Sequence, residues 1–313
     1  MKNKKLGKIL IGFISACAVT FSVVGASACT IETSHPRAEI TYEFNGQTYE
    51  VSYTLYRNMY PHTVRHFIEL AENNFYDDTV IHNYTSNDWF TGGYGYDEDE
   101  YATLSDNASQ MTEYLENYSK EDAYMKLFNE GKLTPSVYAN RGYKDDKEIV
   151  DAADALPTVM GEFYENIHQE IEKGALSAEY GSLKMFYYEK KSAQKIYVTP
   201  TSDQIIMADY KTNCATSLFA LQTGTSSSYN ANNYTVFARL DSTDEFDDFV
   251  DAVRAYITDN HGGTASNFYS STSVRVDNLD DFSNKSEEDK GKSVDFNVPK
   301  TPIIIRSVKI TQY

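Results

Sequence analysis

The chain has 313 residues, of which 24% are charged, and a formal net charge of −18. That excess of acid disfavours nucleic acid as a partner, because binding there relies on positive charge that displaces counterions from phosphates. Its three cysteines are Cys17, Cys29 and Cys214, too few for a disulfide framework, so the fold must rest on its hydrophobic core.

Lys2, Lys4, Lys5 and Lys8 precede an apolar run from Ile9 to Val24, which ends in the small residues Gly25, Ala26, Ser27 and Ala28. This is the order of parts in a signal peptide, predicted over 1–28. Cys29 follows directly and resembles the lipidated cysteine of a lipobox, with Ala26 where that motif carries Leu. The expectation is an exported lipoprotein, anchored through Cys29 and a tether over 29–37 to the outer face of a bacterial cytoplasmic membrane. A plain cut after Ala28, giving a secreted protein, is the alternative. Removing 1–28 takes away four lysines and no acid, moving the charge from −18 to −22. A body so acidic is repelled from anionic lipid heads.

Alternating runs at Ala38 to Phe44 and Thr48 to Leu55 flank Asn45-Gly46, a two-residue hairpin signal. Pro61 then starts a helix with Val64, Phe67, Ile68 and Ala71 on one face and Asn73-Asn74 as its stop. Short strands are predicted at Thr79 to Tyr84 and Trp89 to Gly92. A Tyr-rich and acidic stretch to about Leu156 reads as a helical insertion with loops. Further strands are predicted at Leu183 to Glu189, Gln204 to Asp209, Ser217 to Gln222, Tyr234 to Leu240 and Ile303 to Ile310. Asp244 to Thr258 carries Phe246, Phe249, Val250, Val253 and Ile257 on one face behind a Ser242 or Thr243 cap, as a second core helix.

Several short motifs, in order, carry a family resemblance. Pro61-His62-Thr63-Val64 leads to Phe75-Tyr76-Asp77, followed by Ile81-His82-Asn83 and, at matching distance, Gly92-Gly93. Gly161-Glu162-Phe163, Gly174-Ala175-Leu176-Ser177, Ala215-Thr216-Ser217-Leu218-Phe219 and Tyr234-Thr235-Val236-Phe237-Ala238-Arg239 continue the series. Together they resemble the cyclophilins. The resemblance implies a mainly β fold: a closed eight-stranded barrel capped by two helices, spanning 38–313, with a largely helical insertion at about 94–156 and a smaller one at about 190–210.

It also implies peptidyl-prolyl cis-trans isomerisation without a cofactor. The X-Pro amide resists rotation by about 18 to 20 kcal/mol because resonance stiffens its C–N bond. An isomerase of this kind holds the proline ring in an apolar pocket while an arginine donates to the twisting amide. Aligned on His82, the arginine position is Asn83, a pocket phenylalanine position is Asp88, the methionine position is Trp89 and the glutamine position is Thr91. Phe219 is kept, the next pocket phenylalanine position is Ala220, the histidine position is Tyr234 and the tryptophan position falls near Tyr229. Asn83, Thr91 and Tyr234 are thus the expected catalytic positions, and Trp89, Phe219, Ala220 and Tyr229 the expected substrate-binding ones. Asn donates a hydrogen bond but lacks the charged fork of guanidinium. Two readings follow: a weak isomerase acting on proline-containing segments of exported proteins, or an inactive peptide- or protein-binding module.

Other features receive plainer readings. His62 and His66 share a helix face without a third ligand at motif spacing, so no metal site is expected. His82 reads as a structural residue of the sheet. The acids at Asp97 to Glu100, Asp277 to Asp281 and Glu287 to Asp289 lack calcium-loop spacing and read as solvated loops. Cys214 reads as a small buried residue. The 26 tyrosines suit either a core or a recognition surface.

Overall fold

Asn45 and Gly46 set the first turn. Both adopt left-handed backbone, with φ of 49° and 77°, as a two-residue hairpin turn requires. They join β1 (Arg37–Phe44) to β2 (Gln47–Leu55), paired from Phe44 opposite Gln47 back to Arg37 opposite Thr54. Alternate residues Ala38, Ile40, Tyr42 and Phe44 face Tyr49, Val51, Tyr53 and Leu55 in the core. The computed structural model describes residues 34–104, 107–150, 155–162, 176–185, 195–201, 204–209, 214–215, 217–225, 235–275 and 293–313. The predicted signal segment, Cys29, Tyr229 and Tyr234 lie outside these.

The first helix, α1 (Pro61–Glu72), starts on proline and buries Val64, Phe67, Ile68 and Ala71 as its spacing predicts. Asn73 ends it, and Asn74 turns the chain with a φ of 54°. Three short strands follow: β3 (Thr79–Val80), β4 (Asn83–Tyr84) and β5 (Asp88–Thr91). The expected insertion carries α2 (Glu98–Thr103), α3 (Ala108–Asn117), α4 (Glu121–Asn129), a strand β6 (Val137–Ala139) and α5 (Asp146–Val150).

Beyond it lie β7 (Val159–Met160), β8 (Leu183–Met185), β9 (Lys195–Thr201), β10 (Gln204–Asp209), β11 (Cys214–Ala215), β12 (Phe219–Gln222) and β13 (Thr235–Leu240). The second core helix, α6 (Asp244–His261), outruns its predicted end at Thr258 because the residue that takes left-handed backbone and stops it is Gly262, with a φ of 64°. Ser242 Oγ accepts from Asp244 N at 3.3 Å at its start. The chain closes with α7 (Ala265–Phe268), β14 (Tyr269–Arg275), β15 (Ser293–Pro299) and β16 (Ile303–Gln312).

Nine strands form one curled sheet in the order β3-β16-β1-β2-β13-β8-β12-β5-β4. Its edge strands are consecutive in sequence, separated only by Ile81 and His82. Ile81 N donates to Ile303 O of β16 at 2.9 Å, while His82 N donates to Phe90 O of β5 at 3.0 Å. One extended run therefore touches both ends of the sheet. Counting that run once reconciles nine named strands with the eight expected.

Trp89, Phe67, Phe219, Phe237, Phe246 and Phe249 fill the interior, with α6 packed on β1 and β2. Gly92 permits this closeness: its φ is 87°, and a Cβ there would collide with Ser217 O. A second, smaller core joins α2 and α3 to the β14–β15 hairpin through Tyr94, Tyr101, Met111, Tyr114, Leu115, Val274, Phe296 and Val298. A third, around Val137, Met160, Ile196 and Val198, underlies the sheet β10-β9-β6. No strand is predicted between Thr258 and Ile303, so the paired β14 and β15 are a departure, while the acids expected as solvated loops at Asp277 to Asp281 and Glu287 to Asp289 lie outside the described residues. The two strands, Tyr-Ser-Ser-Thr-Ser-Val-Arg and Ser-Val-Asp-Phe-Asn-Val-Pro, cover only a small core and so carry few apolar residues.

Candidate functional site

Residues directly opposed across an antiparallel ladder point to the same face. Asn83 opposes Phe90, Phe90 opposes Ala220 and Ala220 opposes Lys184, so these four form a row on the outer face of β4, β5, β12 and β8. Asp88 and Gln222 lie two residues along on that face. Tyr84 opposes Trp89, and Thr91 opposes Phe219, on the other face, which is the barrel interior.

The expected site residues therefore divide. Asn83 and Ala220 share the outer face with Asp88. Trp89 faces inward, stacked on Tyr84 at 5.4 Å between ring centroids and edge-on to Phe249 at 5.5 Å. Phe219 is also interior, edge-on to Phe67 and Tyr76. Thr91 is fully buried and donates from Oγ1 to Val80 O at 2.9 Å. An ungapped alignment assigns positions but not the parity of the ladder, which decides the face. Phe90 is the aromatic that β5 turns toward Asn83.

Asn83 is held by a neighbour that sequence reasoning missed. Its Oδ1 accepts from Asn297 N at 3.0 Å, and Asn297 Nδ2 donates to Tyr84 O at 3.2 Å. Each asparagine thus uses its side chain on the other's strand, joining β15 to the edge strand β4. With Oδ1 turned to a backbone N–H, the donor end of the Asn83 carboxamide, Nδ2, points away from the hairpin bond. Next to it, His82 is enclosed by Tyr94 and Phe296 at 4.8 and 5.4 Å, and burial lowers its pKa to about 3. It is a neutral structural residue at physiological pH.

Lys184, also missed, makes the most polar contact of this face. Its Nζ pairs with Asp88 Oδ1 and lies 3.4 Å from Gln222 Oε1, with the two charged side chains 1% and 3% exposed. Burial pushes the Asp88 carboxyl up and the Lys184 ammonium down, and their mutual attraction opposes both shifts. A lone lysine between Leu183 and Met185 reads as the wet side of a strand, so its burial leaves no sequence signal.

Glu162, in the Gly161-Glu162-Phe163 motif of the resemblance, anchors the chain. Its carboxylate accepts from His62 N at 3.0 Å and Thr63 N at 2.8 Å, capping α1 from 100 residues away in sequence. Tyr60, the residue at the cap position, gives the helix no side-chain cap; its Oη accepts from Leu176 N at 2.9 Å instead. Desolvation raises the Glu162 pKa to about 7, against the pull of these two N–H groups. Among the described residues, no three His, Cys, Asp or Glu side chains stand together as a metal site, and no helix is long and apolar enough to cross a membrane.

Residues 40–269 match the family model described as cyclophilin type peptidyl-prolyl cis-trans isomerase/CLD. No curated protein matches the chain. A solved cyclophilin-type isomerase from Cryptosporidium parvum is 13% identical, with a TM-score of 0.40 over 89% of this chain and 99% of that one. The same protein in the presence of the dipeptide Ala-Pro gives 13% identity and 0.38, over 88% and 99%. The Mimivirus cyclophilin gives 11% identity and 0.37, over 90% and 91%.

Proposed function

From the premise that this chain belongs to the cyclophilin-type peptidyl-prolyl cis-trans isomerase family, we propose that it is a weak isomerase of X-Pro bonds in extracytoplasmic proteins, tethered to the membrane through Cys29. The observation that carries this reading is the fixed carboxamide of Asn83, whose Oδ1 is committed to Asn297 N. Its Nδ2 is thereby presented as a neutral donor at the family's arginine position. One such donor stabilises a twisting amide less than a guanidinium does, since it brings neither charge nor a second parallel N–H. Removing a preorganised donor costs roughly 10² to 10³ in rate in oxyanion-hole deletions, which sets the scale of the expected deficit. Phe90 and Ala220 supply the apolar floor beside it.

A second reading, a cyclophilin-like module that binds proline-containing peptides or a protein without useful catalysis, draws on a separate observation. Asp88, at a pocket phenylalanine position, is paired with Lys184 in a buried ion pair. An ion pair there offers a pyrrolidine ring poorer apolar contact than an aromatic face.

Exchange NMR on a short Ala-Pro peptide separates the two. Catalysed exchange by residues 30–313 that falls on Asn83→Ala supports the isomerase. Peptide binding without exchange, in the same sample, supports the module. Globomycin-sensitive processing and radiolabelled acyl incorporation, abolished in Cys29→Ser, test the anchor; an unlabelled chain released to the medium points to secretion.

A further inference from the structure

Asn83 and Asn297 are 214 residues apart, yet each bonds the other's strand. Asn83 Oδ1 takes the N–H that β15 turns toward β4, and Asn297 Nδ2 takes the carbonyl of Tyr84, the residue after Asn83. The two strands run side by side without a ladder between them, so these side-chain bonds replace one. The hairpin is itself braced from behind. Tyr101 Oη donates to Pro299 O at 2.6 Å, and Thr272 Oγ1 donates to Ala108 O at 2.9 Å, tying β14 and β15 to α2 and α3.

The residue type at 83 follows from this arrangement. Arginine has five donors and no acceptor, so with Arg at this position the Asn297 N–H would lose its partner. A carboxamide has both ends. We propose that Asn297 is a positioning residue of the X-Pro site: through the reciprocal pair, the β14–β15 hairpin holds the Asn83 carboxamide with its oxygen on Asn297 N and its Nδ2 donor toward the peptide. This rests on the isomerase reading of Asn83. The β14–β15 hairpin is then part of the site, and the exchange of a charged donor for a neutral one is coupled to the presence of that hairpin.

A double-mutant cycle tests the proposal, with Ala-Pro exchange measured at low and saturating peptide. Asn297→Ala removes the bond to Tyr84 O, and the exposed one that its Oδ1 accepts from Ser271 Oγ, while leaving the backbone N–H. The expected result is a fall in the saturated rate of about fivefold, the worth of one hydrogen bond, with little change in KM. Asn297→Gln, which keeps a carboxamide, recovers part of the loss. Added to Asn83→Ala, Asn297→Ala changes nothing further, because its effect passes through Asn83. An equal loss in both backgrounds, or no loss in the unmodified background, overturns the positioning role. If the unmodified protein accelerates no exchange, the isomerase reading fails separately. The positioning claim then rests on the Asn83 side-chain amide signals in a ¹⁵N spectrum: movement on Asn297→Ala upholds it, and unmoved signals sink it.

Discussion

The barrel interior and the smaller core beneath the β14–β15 hairpin solve the same problem by different means. The barrel buries aliphatic and aromatic side chains from strands on every side, and ring contacts such as Phe67 on Phe219, Tyr76 and Phe237 run through its centre. The smaller core has few such groups to bury. It substitutes tyrosines whose hydroxyls bond the backbone: Tyr101 to Pro299 O at 2.6 Å and Tyr114 to Gly95 O at 2.9 Å, with Tyr114 also accepting from Asp97 N at 3.2 Å. Area stabilises the first region, whereas placed hydrogen bonds define the second. A small layer that must hold one hairpin against one edge strand gains more from direction than from bulk.

The contrast can be broken at its apolar end first. Phe219→Ala should cost about 3 to 5 kcal/mol through lost burial and the cavity left behind, read as a lower midpoint in urea unfolding. A loss below about 1 kcal/mol, within the range of a surface change, would show that the barrel does not depend on its central rings. Next comes the ion pair on the outer face. Lys184→Met strands the Asp88 carboxylate and should also cost about 3 kcal/mol or more, while Asp88→Leu with Lys184→Met should recover most of it. If the single and double variants are equally unstable, the pair is not what fills that face.

Glu162 gives a smaller effect with a definite sign. Its folded pKa of about 7 lies above the ordinary value of about 4.3, so its contribution to stability is full below about pH 4 and is lost as pH rises through about 7. Urea midpoints between pH 4 and 8 should therefore flatten in Glu162→Gln relative to the unmodified protein, and a parallel slope in both would remove this carboxyl as the cause. The smallest effect sharpens the comparison. Tyr101→Phe should cost about 1 kcal/mol, by the loss of one hydrogen bond, with faster amide exchange confined to 94–104, 107–118, 269–275 and 293–299. Faster exchange throughout the barrel instead would mean that the two cores are one cooperative unit.

Much of the fold was legible because local signals agreed with global ones. Asn45-Gly46 fixes the first hairpin, and the apolar stripes of α1 and α6 emerge on the residues their spacing names. The site was less legible, for two physical reasons. A strand's residues alternate between faces, so the family positions at Asn83 and Trp89 lie on opposite sides of the sheet once Asn83 opposes Phe90. The groups that hold Asn83 also come from another part of the chain. Nothing near position 83 announces Asn297, and nothing in Leu183-Lys184-Met185 announces a buried ammonium.

The place of β16 in the sheet governs the order in which the molecule can be assembled. This last strand lies between β1 and β3, pairing Phe44 with Ile303 and Thr79 with Ile305. Until Ile303–Gln312 arrives, both of those strands keep open edges, which are templates for pairing with another chain. Contacts of such long sequence separation make folding slow, because most of the loop entropy is lost before the pairing is gained. Loss of Ile303–Gln312 therefore exposes two aggregation-prone edges at once.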